Sequence, residues 1–495
     1  MKKLKKFAGL ILALVMVCAM GITALAEDIP EPSPDYSITI KNDTSGYEYT
    51  AYQIFGGKYS VDASGSETLT EIEWGSAIVE DESTQNQTAA LNALKALNFG
   101  TTESPDQPFA NCADANDIAG VLSKYTSDSD VVQKFAEVIS GYVTVGTEFS
   151  ADTEKKSVYN EETEEYEDVP VFVGSYTASD LYSGYYLVVS TKVPTYGVYT
   201  NYILTVVGSE TLEIEPKTEI PSVDKAVSDE DANISDTVTY TLTATLPSNY
   251  ADYDTYKMIF HDTMSAGLTY DESKDNMTVT VYESETDAKS GKNGTVAVNG
   301  YSKSNSDYNP GTPDEYSGGT IITIEIANTN NLVDSEGNVI SVDTDSLIVV
   351  TFDAKLNDDA IIGGAGNPNE VYLEFSNNPN WDGKGTEETG STPEDKVVTW
   401  TYELDVTKAD GTDANATKLS GAEFVLYRYK TDKNGEYVYE TDESGEYVYE
   451  TNDAGEYVND GDGNYVKINV KEYVIIGKET MISETTVRRN DDQKK

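Results

Sequence analysis

The sequence predicts a mainly β protein built of antiparallel sandwiches in tandem, with short helical insertions in its N-terminal part. Three observations carry this. Stretches of strict apolar/polar alternation recur along the chain, the period of a half-buried strand. Strand-favouring side chains abound, with 36 Tyr beside many Val, Ile and Thr. Gly, Asn, Asp and Ser fill the gaps between the alternating stretches, as expected of short strands joined by turns.

The N-terminus reads as a secretory signal peptide. A basic start, Met1 to Lys6, precedes an uncharged apolar run from Phe7 to Ile22. Ala24-Leu-Ala26 then gives a small-x-small cleavage site before Glu27. The apolar run is short for a membrane span, which needs about 20 residues. Cleavage between Ala26 and Glu27 is the expectation, and the Pro-rich stretch that follows reads as a flexible leader.

Residues 27–213 are expected to form a first domain. Strand alternation runs through Tyr36–Lys41, Tyr47–Phe55, Tyr185–Val189 and Tyr202–Val207. Apolar residues at helical spacing mark Ala89–Leu97 and part of Ile118–Val143. Residues 214–222 form a linker, kept extended by Pro216 and Pro221. A second domain is expected at 223–393, where Thr237–Leu246, Met277–Tyr282, Ile321–Ile326 and Leu347–Phe352 alternate with period two. A third, at 397–474, opens with strands at Trp400–Lys408 and Ala422–Tyr429. It carries a Gly-Glu-Tyr-Val repeat at Gly435, Gly445 and Gly455, with a degraded copy at Gly463. Copies ten residues apart with Asn/Asp/Gly turns suggest extended hairpins on one domain rather than a solenoid. Residues 475–495 read as an atypical tail.

Composition excludes several functions. With 87 acidic and 34 basic residues the net charge is −53. That disfavours nucleic acid, whose phosphates need a basic patch. Cys18 lies in the signal peptide and leaves Cys112 alone, so the secreted chain has no internal disulfide. His261 is the single histidine. A Ser-His-Asp or Cys-His site therefore finds no partners, and zinc finds too few nitrogen or sulfur ligands. Asp62-Ala-Ser-Gly-Ser matches a metal-ion adhesion pattern, but the preceding Gly56-Gly-Lys-Tyr suits a hairpin turn. The acidic turns near Asp432 and Asp442 lack the spacing of an EF-hand. No metal and no cofactor is expected.

A family resemblance emerges from the order of the motifs. Tyr49-Thr-Ala-Tyr-Gln-Ile-Phe, Leu69-Thr-Glu-Ile-Glu-Trp-Gly, Gly184-Tyr-Tyr-Leu-Val and Tyr202-Ile-Leu-Thr-Val-Val-Gly resemble the N-terminal domain of Gram-positive, sortase-assembled backbone pilins. Val223-Asp-Lys-Ala-Val, Asp262-Thr-Met-Ser-Ala-Gly-Leu-Thr-Tyr and Asn369-Glu-Val-Tyr-Leu-Glu-Phe-Ser-Asn-Asn-Pro resemble the isopeptide-forming second domain of that family. Leu404-Asp-Val-Thr-Lys and Leu419-Ser-Gly-Ala-Glu-Phe-Val-Leu-Tyr resemble the start of a CnaB-type, SpaA-like domain. The resemblance covers roughly residues 36–430 and implies immunoglobulin-like sandwiches of the CnaA and CnaB types. It implies a cell-wall protein polymerised by a pilin-class sortase with other copies of the subunit.

The resemblance assigns residues. Lys225 is the implied nucleophile of a self-formed amide bond, Asp262 its catalytic acid and Asn369 the acceptor, with Asn377 as the rival acceptor. Asn369 is expected to open the last strand of its sandwich, beside the first strand, which carries Lys225. An ordinary Lys225–Asp262 ion pair, with Asn369 capping a turn, is the bland alternative. Lys217, in Ile214-Glu-Pro-Lys, resembles the pilin-motif lysine that a sortase acyl-enzyme joins to the next subunit, with Glu215 in place of the usual Tyr. Otherwise Lys217 is a plain solvated linker lysine. Lys408 matches the nucleophile of a CnaB-type domain, but the Glu-Thr-x-Ala-Pro-x-Gly-Tyr box and a closing Asn-bearing strand do not follow, so no bond is expected there. No Leu-Pro-x-Thr-Gly sorting signal follows either, and this end reads as truncated or frame-shifted. Two functions stay open: a structural pilus subunit, not an enzyme, and an adhesin binding a host matrix protein or glycan. The Tyr-rich repeats are the candidate ligand surface for the second.

Overall fold

The computed structural model describes residues 33–410 apart from 62–66, 81–84, 128, 161–164, 209–211, 272–275, 381–387 and 407. Beyond 410 it describes 417–418, 426–429, 438–442, 444, 446–452, 456–458, 464–468, 471–474 and 485–487. The Ala26–Glu27 junction, Asp62 and Asp432 lie outside these residues.

The N-terminal part is a sandwich with a helical layer. Its elements are β1 (Tyr36–Lys41), β2 (Glu48–Val61), β3 (Glu67–Trp74), α1 (Asn86–Lys95), α2 (Ala115–Leu122), α3 (Asp130–Ser140), β4 (Thr147–Glu148), β5 (Ser150–Asn160), β6 (Glu165–Leu181), β7 (Gly184–Lys192), β8 (Ile203–Val207) and β9 (Leu212–Ile214). One sheet runs β5-β6-β1-β9 and the other β3-β2-β7-β8, with β4 on β2. Only β1 and β9 pair in parallel among these strands. Alternation on β7 explains the layering. Tyr186 and Val188 meet Ile38, Ile40, Tyr49 and Tyr176 between the sheets. Tyr185 and Leu187 point the other way, into Phe55, Phe109, Phe135 and the helices. A strand buried on both faces loses its polar positions, hence the apolar run Tyr185-Tyr-Leu-Val-Val. Side-chain caps start two of the helices: Asp114 accepts from the Asp117 N–H of α2, and Ser129 from the Val132 N–H of α3.

The central sandwich contains β10 (Val223–Val227), β11 (Thr237–Ala244), β12 (Met258–Met264), β13 (Leu268–Tyr270), β14 (Thr278–Tyr282), α4 (Glu285–Ser290), β15 (Thr295–Ala297), β16 (Ser302–Asp307), β17 (Thr320–Ile326), β18 (Leu347–Leu356), β19 (Asn367–Ser376), β20 (Thr389–Ser391) and β21 (Asp395–Thr399). One sheet runs β10-β11-β18-β14-β15, with β13 on β18. The other runs β16-β17-β12-β19-β20, with β21 on β19. Inward residues of both sheets, among them Val238, Leu242, Phe260, Ile324, Val350 and Leu373, fuse into one core. The alternation in the sequence placed them there.

Two expectations about strand order need correction. Asn369 is not on the last strand, because β20 and β21 follow and both pair with β19. The strand expected from Trp400 is also broken. Asp395–Thr399 joins the central sheet, Trp400 and Thr401 make single bridges to Asp231 and Ile362, and a new strand, β22 (Leu404–Val406), begins after them. The remaining strands are β23 (Ala409–Asp410), β24 (Thr417–Lys418), β25 (Leu426–Tyr429), β26 (Lys471–Val474) and β27 (Thr485–Val487). They pair as β22–β27, β23–β24 and β25–β26. β27 falls within the stretch read as a patternless tail, where Thr485-Thr-Val supplies three β-branched residues.

The two sandwiches interlock. A loop after β7 inserts Val198, fully buried, into the central core. Around it the Tyr199 N–H donates to the Asn377 carbonyl at 2.8 Å, and the Asn380 amide donates to the Thr200 carbonyl at 2.6 Å. The Asn201 amide donates to Asp252 at 2.8 Å.

The helical layer is testable. Phe135 is fully buried between Phe55, at 6.1 Å, and Phe109, at 6.2 Å. Phe135→Ala should lower unfolding stability by about 3–5 kcal/mol in urea melts, whereas Gln133→Ala, on the exposed face of the same helix, should leave it within about 0.5 kcal/mol.

Candidate functional site: a buried lysine, aspartate and asparagine

Three polar residues sit where alternation places apolar ones. On β10, Val223, Lys225 and Val227 share the inward face, and Lys225 is its one buried member. On β12 the inward set is Met258, Phe260, Asp262 and Met264. On β19 it is Asn367, Asn369, Val371, Leu373 and Phe375. Strand register then gathers the three. Asp262 lies opposite Val371, and Asn369 lies opposite Met264, so Asn369 is the diagonal neighbour of Asp262 on the same face. Lys225 reaches them from the facing sheet. Its backbone N–H donates to the Asp395 carboxylate of β21 at 2.6 Å, which fastens the edge of one sheet to the other.

Both side chains of the Lys225–Asp262 pair are 0% exposed, and Lys225 Nζ is hydrogen-bonded to Asp262 Oδ2. The Lys225 Nζ also lies 5.2 Å from the Tyr240 ring centroid and 5.8 Å from that of Phe352. Burial pushes the lysine below its ordinary value, against the pull of Asp262. Burial likewise pushes Asp262 up, opposed by Lys225 and by Asn369. Both shifts favour the uncharged forms, a free amine and a carboxylic acid. Asn369 adjoins the carboxyl, yet neither its amide nitrogen nor its carbonyl oxygen has a hydrogen bond of good geometry, and Asp262 Oδ1 has none either. Leaving a buried polar group unpaired costs about 1–3 kcal/mol. An amine, a carboxyl and an amide are thus enclosed together in one buried space.

The other predicted residues lie apart from this cluster. Asn377 sits past the end of β19, eight residues beyond Asn369, or about 26 Å along an extended strand. There its side chain donates to the Gly197 carbonyl at 3.4 Å, in the interlock between the sandwiches. Lys217 is exposed and outside any strand or helix, three residues after β9. Lys408 is exposed between β22 and β23. His261 faces away from Asp262, stacked on Tyr372 at 4.6 Å and 3.2 Å from Glu374. Cys112 is buried and free. Asp442 accepts from the Ser444 and Glu446 backbones of its own turn. Among the described residues no group of His, Cys, Asp or Glu is arranged to hold a metal ion. Sequence reasoning missed Asp395, Tyr240 and Phe352. Period two marks the two aromatics as inward, but nothing local marks them as neighbours of Lys225.

No family model matches the chain, and no curated protein matches it. Solved structures do. The T6 backbone pilin of serotype M6 Streptococcus pyogenes is 16% identical with a TM-score of 0.40, over 92% of this chain and 80% of that one. The major pilin SpaD of Corynebacterium diphtheriae is 16% identical with a TM-score of 0.40, over 80% and 72%. BcpA, the major pilin subunit of Bacillus cereus, is 15% identical with a TM-score of 0.31, over 70% and 92%. At these values the likeness carries no functional argument.

The buried pair makes a testable statement about pH. Between the ordinary values of 3.8 for Asp262 and 10.5 for Lys225, the unfolded pair holds one proton, on the lysine. The folded pair also holds one, wherever it sits. In Asn369→Ala, which leaves the pair uncoupled to any acceptor, its contribution to stability should therefore be flat across that range. Adding Asp262→Asn leaves a lone lysine with a lowered folded value. The unfolded state then binds the extra proton between that value and 10.5, so stability should rise with pH in that window, by up to about 1.4 kcal/mol per pH unit. Equal slopes for the two variants in pH-stepped urea melts would contradict the assignment.

Proposed function

We propose that the chain is a structural subunit of a cell-surface pilus, stiffened by an amide bond that Lys225 and Asn369 form with the help of Asp262. The observation that carries this reading is the Asn369 amide, fully buried without a good hydrogen bond beside a buried lysine–carboxyl pair. The ordered set of motifs that resembles backbone pilins supports it independently.

The chemistry balances within the three side chains. Asp262, kept protonated by burial, donates to the Asn369 carbonyl oxygen and makes its Cγ more electrophilic. The uncharged Lys225 Nζ attacks Cγ. A proton from Nζ passes through the Asp262 carboxyl to Nδ2, the Cγ–Nδ2 bond breaks and ammonia leaves. The new bond is Nζ–Cγ, and Asp262 ends protonated as it began. No cofactor is required, and the reaction occurs once per chain. Fixing the groups in one core supplies the rate, since well-oriented intramolecular reactions reach effective molarities of ~10⁵–10⁸ M.

Polymerisation falls to Lys217. An exposed lysine just beyond a sheet edge suits attack on a thioester held by a sortase, which would join one subunit to the next at the surface of a Gram-positive cell. The buried Lys225 is closed to such an enzyme.

Two measurements test this reading. Intact mass of the folded, secreted protein should fall one ammonia short of the sequence mass, and Lys225→Ala, Asp262→Ala or Asn369→Ala should each restore the full mass. An unshifted mass in the unsubstituted protein would refute the bond. Separately, in cells that make the cognate sortase and a subunit carrying a sorting signal, the chain should be joined to that subunit in a covalent product on denaturing gels that Lys217→Ala abolishes; a persisting product moves the acceptor elsewhere.

A further inference from the structure

The Tyr-rich repeats take no part in the chemistry above, and their geometry repeats as their sequence does. In one hairpin the Asp442 N–H donates to the Glu446 carbonyl at 2.8 Å, and in the next the Asn452 N–H donates to the Glu456 carbonyl at 2.8 Å. The Val448 N–H donates to the Glu440 carbonyl at 3.0 Å, and the Val458 N–H to the Glu450 carbonyl at 2.9 Å. The segment around Val466–Ile468 lies across both. Its Val466 N–H donates to the Val458 carbonyl, and its Ile468 N–H to the Val448 carbonyl, each at 2.9 Å.

This repetition builds the same tyrosine pair twice. Tyr439 and Tyr447 meet edge to face at 5.9 Å, and ten residues on Tyr449 and Tyr457 meet edge to face at 5.9 Å. The first pair is filled. The Lys467 ammonium lies 3.7 Å from the Tyr447 ring centroid and 5.1 Å from that of Tyr439. At the second pair the third member is Tyr465, 5.0 Å from Tyr457 and 5.8 Å from Tyr449. Among the described residues, only Lys225 and Lys467 place a cation over a ring. Tyr457 and Tyr465 are 56% and 53% exposed, so their rings are open to a partner. Exposed Glu446, Glu450 and Glu456 stand on the same hairpins.

We propose that the Tyr449–Tyr457–Tyr465 cluster is a binding site for a lysine side chain of a partner polypeptide. The chain itself shows which group fits, since the equivalent pair holds a primary ammonium. Ring faces attract a cation through their quadrupole, and the nearby carboxylates add a field of the same preference. One such seat is weak. A lysine-rich segment engaging the surface at more than one point would bind through effective concentration.

The test uses the full secreted chain and a tri-lysine peptide, titrated by calorimetry at about 0.15 M salt, where the Debye length is about 8 Å and diffuse attraction to an acidic protein is largely screened. Binding should saturate, vanish with the Nε-acetylated peptide, and weaken at least tenfold in the Tyr457→Leu/Tyr465→Leu double variant. The Tyr457→Phe/Tyr465→Phe variant keeps the rings and should keep binding, which separates ring loss from misfolding. Lys467→Met empties the first pair and should raise the stoichiometry from one peptide to two. Unchanged affinity in the Leu double variant, loss in the Phe variant, or an unchanged stoichiometry in Lys467→Met would overturn the site. Phosphocholine binding these tyrosines without any binding of the lysine peptide would overturn the choice of ligand.

Discussion

The Lys225–Asp262 contact is the constraint around which the central sandwich is arranged. Two ionisable groups at zero exposure cannot both stay charged cheaply; stripping water from an ion costs several kcal/mol even after relaxation. Burial pushes both toward their uncharged forms, and the fold encloses them. Tyr240 and Phe352 roof the amine, and the Tyr240 hydroxyl is satisfied by Thr399 at 3.0 Å rather than by the lysine. Asp262 needs a central strand, because a strand flanked on both sides keeps water out, and β12 lies between β17 and β19. Lys225 needs an edge strand close to the other sheet, and Asp395 holds that edge through the Lys225 backbone. Strand order, aromatic placement and edge closure all follow from one buried pair.

The same sandwich is locked to its N-terminal neighbour by Val198. A contact made of small, polar loops permits relative motion, whereas a buried apolar insertion ties the two cores together. Tyr47 contributes from the N-terminal side, its hydroxyl donating to the Val198 carbonyl at 3.2 Å. Asn377 and Asn380 contribute from the central side. Asn377 is thereby accounted for as a residue of the interlock, which also explains why its segment looks as distinctive as Asn369 in the sequence.

Much of this was legible because period two is a strong signal. It marked the strands of the central sandwich, whereas Lys225, Asp262 and Asn369 were singled out by the family resemblance, and the fold then puts each on the inward parity of its strand. The helices of the N-terminal part were visible from their apolar spacing. Long-range arrangement was not. Nothing local says that β10 and β12 belong to facing sheets, or that β20 and β21 return to cover β19. The strand at Asp395–Thr399 was assigned partly to the next domain because Trp400-Thr-Tyr-Glu-Leu continues the alternation, while the chain actually leaves the sheet at Trp400. The Val198 insertion is hidden for another reason: one valine in a Pro- and Gly-containing loop carries no periodicity at all.

There remains the choice between an ordinary buried ion pair and an amide bond. A buried pair alone is a poor bargain, since hydrophobic residues of similar volume often serve stability as well or better. That leaves the inward Asn369 without a purpose, because its amide finds no good partner. Amide formation resolves both difficulties. It removes the buried amine, gives the Asn369 carbonyl a protonated Asp262 to accept from, and expels the unpaired Nδ2 as ammonia. It also closes a loop of well over a hundred residues, for which the chain-entropy model of a covalent bridge gives roughly 5 kcal/mol. For a sandwich protein whose described cysteine, Cys112, is free, such a bond does the work of a disulfide without needing an oxidant, and reducing agents cannot undo it.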